Sequence, residues 1–367
     1  MSYKNIYILG VGGSGMSSIA KYLKQKGDNV IGYDQRKSYV TNLLNQDGIK
    51  VVHTLDEVTY KPECLYIYSS AIPIESDRFE DFYDKENVLS RPEYLKNLSE
   101  NHKIIGITGT HGKTSTTALL SHIFHFNNVN VSYLYGGITT FNGIGGHYGD
   151  PDQPLILETD EAFNTFEKIK ISDLLVLNVD SDHLDYFKNL DNYKDAFYKV
   201  MKNVTDNLVI NNDDLNIKSM KDLKNPVSYG KDTSADFKVQ SPGNFKYENN
   251  KYEIKSDIIG DHFKSNMLGA IILALLNGIE IKDSLNAIES FAGVKRRIEL
   301  IGISKGVLIY DDYGHHPTEM EATITALKQQ TESKLYVVFQ PHRYTRTMEY
   351  FNSFKDSLKL ADFAIVT

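Results

Sequence analysis

The sequence predicts an α/β fold of parallel, doubly wound units, and three observations predict it. Short apolar runs alternate with helical patterns from one end of the chain to the other. Two of those runs empty into glycine turns that open directly onto helices. The length of 367 residues exceeds what one hydrophobic core usually serves, so two or three such units are expected.

In chain order, Ile6–Leu9 reads as a strand, Met16–Lys26 as a helix, Val30–Tyr33 and Leu65–Tyr68 as further strands, and Ser99–Lys103 as a polar linker. A second unit opens with strand Ile104–Thr108, a glycine turn and helix Thr114–His125. Leu155–Leu157 and Leu174–Leu177 are short buried strands that end in acidic or amide residues. Asp236–Ile258 alternates apolar and polar positions, as a small antiparallel insertion does. Helices Met267–Leu276 and Ser284–Phe291 lead to Gly293, a candidate hinge. Strand Val307–Tyr310, helix Thr318–Gln330, strand Leu335–Phe339, helix Tyr350–Leu360 and strand Phe363–Val366 complete the pattern. The predicted domains are 1–101, 102–293 and 294–367.

Composition narrows the classes of function. Net charge is −8, and no basic face is present to wrap a nucleic acid. An anionic ligand must then be met by a local cluster of donors. Cys64 is the single cysteine, which suits a reducing compartment. The N-terminal apolar run is too short for a signal peptide, and no stretch approaches the ~20 apolar residues of a membrane span. A cytoplasmic protein with neither nucleic-acid nor membrane partners is expected.

The first glycine turn is Gly10-Val11-Gly12-Gly13-Ser14-Gly15. Glycines let the backbone approach a pyrophosphate, and the helix that follows offers free N–H groups. Asp34 ends the next strand, where an acidic ribose contact is expected. The ligand class is nucleotide-like, with NAD and UDP both compatible. A plain tight turn is the bland alternative.

The second turn, Gly106-Ile-Thr-Gly109-Thr-His-Gly112-Lys113-Thr114, is similar to a phosphate loop, although Ile107 stands where the first glycine of the strict spacing falls. Its mechanics are intact. N–H groups around Gly109 to Gly112 can cradle phosphates, Lys113 can neutralise the β/γ oxygens, and Thr114 can reach Mg²⁺. Two phosphate loops in one chain imply two phosphorylated ligands that meet.

Glu158-Thr-Asp-Glu161 and Asn178-Val-Asp180-Ser-Asp182-His183-Leu-Asp185 lie at strand C-termini, which face the ligand crevice of an open parallel sheet. Beside the loop threonine they suit Mg²⁺ better than zinc, because hard oxygen donors outnumber the one imidazole. Helix capping is the competing use of such acids. Gly260-Asp-His262-Phe-Lys-Ser-Asn266, Gly293-Val-Lys-Arg296-Arg297, Asp311-Asp312-Tyr313-Gly314-His315-His316-Pro317-Thr-Glu319 and Phe339-Gln-Pro341-His342-Arg343-Tyr344-Thr345-Arg346-Thr347 follow at loops after strands.

Taken in order, these strings resemble the signatures of the Mur ligase family over the whole chain, and the last two are most similar to the alanine-adding members. The resemblance implies three domains: a Rossmann-like one holding a UDP-sugar, a phosphate-loop ATPase, and a Rossmann-like one closing over both. It implies ATP-dependent ligation of L-alanine to the carboxylate of UDP-N-acetylmuramate, through an acyl phosphate, in peptidoglycan precursor synthesis. ATP and Mg²⁺ are the implied co-substrate and cofactor.

Carried over residue by residue, Gly10, Gly12, Gly13, Ser14, Gly15, Asp34 and Ser70 would hold the UDP-sugar. Gly109, Thr110, His111, Gly112, Lys113, Thr114, Ser115, Asn266, Arg297 and Asp312 would hold ATP. Thr114, Glu158 and His183 would hold the metal, with Lys113, His183 and Arg297 catalytic. Tyr313, His315, His342, Arg343 and Arg346 would form the alanine pocket. Two features depart from the family: Phe263 stands where an asparagine is usual, and the third domain is shorter than the ~100 residues of a typical unit, so a truncated domain is expected. The rival readings are a ligase that attaches a recycled peptide to the same sugar, an NAD-dependent dehydrogenase, and a non-catalytic nucleotide-binding relative.

Overall fold

The computed structural model describes residues 3–182 and 184–367. The first unit runs β1 (Asn5–Leu9), α1 (Ser14–Gln25), β2 (Asn29–Tyr33), α2 (Tyr39–Gln46), β3 (Lys50–Val52), β4 (Leu65–Tyr68), β5 (Val88–Ser90) and α3 (Arg91–Ser99). Its strands pair in parallel in the order β3-β2-β1-β4-β5. The order reverses beside β1, so the glycine turn after β1 lies at the crevice of a doubly wound sheet. Helix α3 starts at a capping box, in which Ser90 and Glu93 satisfy each other's backbone N–H groups, with Pro92 in the first turn.

The second unit runs β6 (Ile104–Thr108), α4 (Lys113–Phe126), β7 (Ser132–Thr139), β8 (Gly143–His147), β9 (Leu155–Glu158), β10 (Asp173–Val176), α5 (Leu184–Phe187), α6 (Leu190–Lys202), β11 (Asn207–Asn211), α7 (Leu215–Ser219), β12 (Val227–Gly230), β13 (Phe237–Ser241), β14 (Asn244–Tyr247), β15 (Asn250–Glu253), α8 (Asp261–Leu276) and α9 (Ile281–Glu289). The sheet order is β15-β14-β13-β12-β11-β10-β6-β9-β7-β8. Central strands β6 and β10 are buried at every position, as parallel strands covered on both faces must be. Helix α8 is apolar around much of its circumference because it lies inside the unit, packed with α4 and α9 against the sheet.

The third unit holds a hairpin of β16 (Glu299–Ser304) and β17 (Val307–Asp311), then α10 (Pro317–Gln329), β18 (Tyr336–Phe339), α11 (Tyr344–Glu349), α12 (Phe351–Leu358) and β19 (Phe363–Val366), which pairs in parallel with β18. Its small core is Met320, Phe339 and Phe354.

The elements refine the expectations at three places. The helix expected over Tyr350–Leu360 is α12, and a short helix α11 that was not expected precedes it. At Tyr350 between them the hydroxyl donates to Ser181 O at 3.0 Å and pins the chain to the second unit. The antiparallel stretch expected within Asp236–Ile258 is present as β13, β14 and β15, and β13 also pairs in parallel with β12, so the stretch continues the central sheet. Short strands β3, β5, β7, β8, β11, β12 and β16 carry too little periodicity to stand out and were not expected.

Units one and two pack tightly. Helix α1 lies across β7 and β8, and Lys21 Nζ donates to the carbonyls of Asn142 and Ile144. Gly146 permits this approach, because a Cβ there would sit 2.0 Å from Ser18 O. The contact brings the two glycine loops to one crevice.

Candidate functional site

The first glycine loop is held open by its own strand neighbours. Gly10 adopts φ +79°, and its N–H donates to Tyr33 O at 2.7 Å. Asp34 Oδ2 accepts from Gly12 N–H at 2.9 Å and Oδ1 from Arg36 N–H at 3.0 Å, so this carboxylate braces the loop from behind. Ser14 heads α1 and faces the second unit, 3.1 Å from where a Cβ of Gly136 would stand. Ser70 is exposed in the loop after β4.

The second loop connects β6 to α4. Gly109 (φ +143°) and Gly112 (φ +87°) take backbone angles that glycine alone adopts readily, leaving the N–H groups at the head of α4 without side chains above them. A Cβ on Gly112 would lie 2.4 Å from Asn266 Nδ2, so α8 closes on the loop from the other side. Lys113 Nζ donates to Gly109 O at 2.6 Å, to Thr110 O at 3.0 Å and to Glu161 Oε1 at 3.0 Å. Burial disfavours its ammonium, but the carboxylates of Glu161, Asp160 and Glu158 outweigh burial and keep it charged.

Thr114 Oγ1 donates to Glu158 Oε1 at 2.7 Å, and Glu158 Oε2 accepts from Gly136 N–H at 2.6 Å. A loop hydroxyl and a carboxylate so placed are hard oxygen donors of the kind Mg²⁺ takes, so the residues present fit that ion. The third expected ligand, His183, lies outside the described residues.

These groups open onto two cavities. One, of about 480 Å³, is lined by Ser14, Lys113, Thr114, Glu158, Arg297, Tyr313 and His315, with one or more from each unit. The other, of about 440 Å³, is lined by Gly112, Ser115, Asn266, Phe263, Arg297 and Asp312. Phe263 gives that cavity an apolar wall beside the His262 ring, 4.3 Å away centroid to centroid. Asp312 holds the hinge loop: its carboxylate accepts from Ile298 N–H at 2.8 Å and Gly314 N–H at 2.7 Å.

The expected alanine residues divide. Tyr313 and His315 line the larger cavity, and both Arg296 and Arg297 lie over the Tyr313 ring. Arg346 is buried, its Nη2 3.2 Å from each carboxylate oxygen of Asp182, and Asp182 lines the same cavity. His342 and Arg343 are exposed and line neither cavity.

Sequence reasoning missed several partners. Glu161, expected among the acids of a metal site, pairs with Lys113, and Glu319 lies on His111 and Arg297. Arg91 at the head of α3 went unread. Its guanidinium packs against Gly15, where a Cβ would lie 2.9 Å away, and it lines a small cavity with Ser14 and Asp160. The only prior signal was its place between a capping serine and a proline, which reads as an ordinary helix start.

Two glycine loops face a third unit across the cavities, and the chain is similar to known proteins over that whole architecture. The family models described as Mur ligase family catalytic domain, Mur ligase middle domain, and Mur ligase glutamate ligase domain match residues 5–103, 107–274 and 296–367. A UDP-N-acetylmuramate–L-alanine ligase of Caldicellulosiruptor saccharolyticus is 35% identical over 98% of this chain and 83% of its own. The corresponding ligase of Clostridium botulinum (strain Langeland) is 35% identical over 98% of this chain and 81% of its own. The crystal structure of the UDP-N-acetylmuramate-alanine ligase MurC from Thermotoga maritima superposes with a TM-score of 0.83 at 26% identity, covering 99% of this chain and 84% of that one. A murein peptide ligase from Psychrobacter arcticus shares the fold at a TM-score of 0.76 and 23% identity, covering 99% of this chain and 84% of that one. With three domain models in order and relatives above 30% identity over 98% of its length, this chain belongs to the Mur ligase family.

Proposed function

We propose that this chain ligates L-alanine to the lactyl carboxylate of UDP-N-acetylmuramate at the expense of ATP, a cytoplasmic step of peptidoglycan precursor synthesis. The observation that carries the reading is the 480 Å³ cavity, where the first loop at Ser14, the second at Lys113 and Thr114, and the third unit at Tyr313 and His315 all face one space. A ligase of this kind must bring a nucleotide sugar, ATP and an amino acid to a single point. A dehydrogenase would leave the second loop without a task.

The chemistry needs no protein nucleophile. The bound carboxylate attacks the γ-phosphorus of ATP, the bond to the bridging oxygen breaks, and an acyl phosphate and ADP result. The alanine amine then attacks the acyl carbon, the bond from that carbon to the phosphate oxygen breaks, and phosphate leaves as the nitrogen loses a proton to give the amide. Lys113 and the N–H groups of Gly112 and the head of α4 offset charge on the transferred oxygens, the dominant contribution in phosphoryl transfer. The N–H groups of Thr110 and His111 are instead spent on Asn178, at 3.1 and 2.8 Å, and fix the loop. Arg297 is stationed beside both cavities and adds positive charge from the hinge. Mg²⁺ held by Thr114 and Glu158 would supply further screening of the phosphates. Third-unit residues over the cavity exclude water from the acyl phosphate. On this reading Tyr313, His315 and Arg346 hold alanine, Arg91 and Ser14 face the pyrophosphate of the sugar nucleotide, and the 440 Å³ cavity beside Asn266 and Phe263 takes the adenosine.

The test is ADP release with UDP-N-acetylmuramate present, comparing no amine, L-alanine and the L-alanine-headed tripeptide. Release that depends on L-alanine supports the reading. Release with the tripeptide alone would assign the peptide-recycling reaction, and no release with either amine would overturn ligation.

A further inference from the structure

His111 occupies the middle of the second loop, at the point where the loop, the end of β10 and the head of α10 converge. Its Nε2 lies 3.1 Å from Asp180 Oδ2 and its Nδ1 lies 3.2 Å from Glu319 Oε1. Ionised carboxylates accept and cannot donate, so a ring satisfied on both sides donates from both nitrogens and is an imidazolium. Asp180 lies in the loop after β10, in the same unit as His111, whereas Glu319 stands in the first turn of α10 in the third unit. Thr318, its neighbour on α10, adds a second tie by donating to Asp180 Oδ2 at 2.7 Å.

His111, Asp180 and His316 also come close enough to hold a metal ion, with candidate ligand atoms within 4.8 Å of one another. The hydrogen bonding argues against that use. His316 Nδ1 accepts from Thr318 N–H at 3.3 Å as the cap of α10, which leaves its ring proton on Nε2. His111 donates from both nitrogens. With both His111 nitrogens donating and the His316 Nδ1 lone pair engaged by the α10 cap, the positive charge between these carboxylates is the imidazolium itself.

We propose that His111 is a positioning residue for the ligase reaction, an imidazolium tie that couples the nucleotide loop to docking of the third unit through Asp180 and Glu319. The inference rests on the ligase reading for its purpose, because docking is what covers the acyl phosphate. The loop that cradles phosphate and the unit that closes the site are joined by one side chain. Loop geometry and closure are therefore biased together, and Arg297, 3.9 Å from the same Glu319 oxygen, shares the load.

The charged and titratable groups facing the tie are Arg297 and His315 on Glu319, Asp214 and Tyr350 on Asp180, the His316 ring at 4.9 Å, and His262 and Asp312 nearby. Burial lowers His262, His315 and His316, so these are neutral above pH 7. Burial also opposes charge on His111, but its bonds to Asp180 and Glu319 prevail and raise it to about 9. The sign follows. When undocked, the ring reverts toward the ordinary imidazole value of about 6.5. The tie is at full strength below that pH and is lost as pH rises through about 9.

The experiment uses the full chain with dyes at Lys221→Cys and Glu332→Cys, exposed positions on the second and third units. Energy transfer is read between pH 6.5 and 10 without substrates, for wild type, His111→Gln and Glu319→Gln. Affinity for a non-hydrolysable ATP analogue is measured on each at pH 7.5. Wild type is expected to separate as pH passes about 9. Both variants should be separated at every pH, with ATP-analogue affinity roughly tenfold weaker, as for one lost charge-assisted bond. Glu319→Gln lies outside the loop, so the proposal survives a His111 variant that fails to fold. A wild-type distance that ignores pH, or a Glu319→Gln protein as closed as wild type, would overturn it. Docking is read without turnover, so failure here is separate from failure of the ADP-release test.

Discussion

Thr114 and Glu158 meet at 2.7 Å, hydroxyl to carboxylate, although one heads α4 and the other ends β9. Strands β6 and β9 pair in register with Ile107 opposite Glu158, so the loop that leaves β6 lands beside the acid that ends its neighbour. Sheet register thus builds a hard-oxygen site from two distant stretches of chain. Glu158→Gln is expected to raise the Mg²⁺ concentration needed for half-maximal turnover at least tenfold, with the unliganded melting temperature little changed. Identical Mg²⁺ activation curves for variant and wild type would remove Glu158 from the metal site.

Lys113 is expected to be indispensable. Its ammonium reaches the loop carbonyls and the Glu161 carboxylate, so its place is set before any phosphate arrives. Lys113→Met should lower the turnover rate by ~10²-fold or more, since charge lost beside the transferring phosphoryl group costs several kcal/mol of barrier. UDP-N-acetylmuramate binding, measured by calorimetry, should remain, because the first loop belongs to another unit. Turnover within a few-fold of wild type would show that this lysine does not touch the reacting phosphate.

Gly112→Ala tests the cradle by adding one methyl group. The backbone there is left-handed at φ +87°, which costs a side-chain-bearing residue ~1–2 kcal/mol, and the new Cβ would meet Asn266 at 2.4 Å. The variant is expected to bind ATP weakly, because Asn266 must shift from the wall of the 440 Å³ cavity proposed for adenosine. If ATP affinity stayed at the wild-type value, the close approach of α8 to the loop would have no functional weight.

Much of this was legible in the chain itself. Strand–glycine–helix patterns at Gly10–Gly15 and Gly109–Thr114 announce themselves because backbone access to phosphate requires glycine at fixed offsets. The burial of β6 and β10 shows in the apolar residues that dominate them, although β10 opens on the buried Asp173. Strands β7 and β8 were hidden, as Gly136, Gly137, Gly145 and Gly146 depress the apolar signal. Those glycines serve close approach, with Ser14, Thr114, Tyr135 and Ser18 respectively where a Cβ would go. The Lys113–Glu161 and His111–Glu319 pairs were equally hidden. Their partners are separated by 48 and 208 positions, and no local pattern links them.

The ion pair of Arg346 with Asp182 bears on whether the alanine pocket is where the resemblance puts it. Both side chains are at least nine-tenths buried, and the pair spans the second and third units. Breaking such a pair by removing one partner costs ~3–5 kcal/mol, because the remaining charge stays buried without its counterion. A purely structural role predicts that Asp182→Asn and Arg346→Lys loosen third-unit docking and raise the KM for every ligand that needs closure, ATP included. A substrate role predicts more. With Asp182 orienting Arg346 toward the cavity that Tyr313 and His315 line, both variants should raise the KM for L-alanine roughly tenfold beyond any change for ATP. His342→Ala, at an exposed position that lines neither cavity, should leave the L-alanine KM within about twofold, as surface positions away from a site ordinarily do. Equal rises in the ATP and L-alanine KM values for Asp182→Asn and Arg346→Lys would confine Arg346 to docking. A large L-alanine defect in His342→Ala would mean that the loop before α11 folds inward when the amino acid binds.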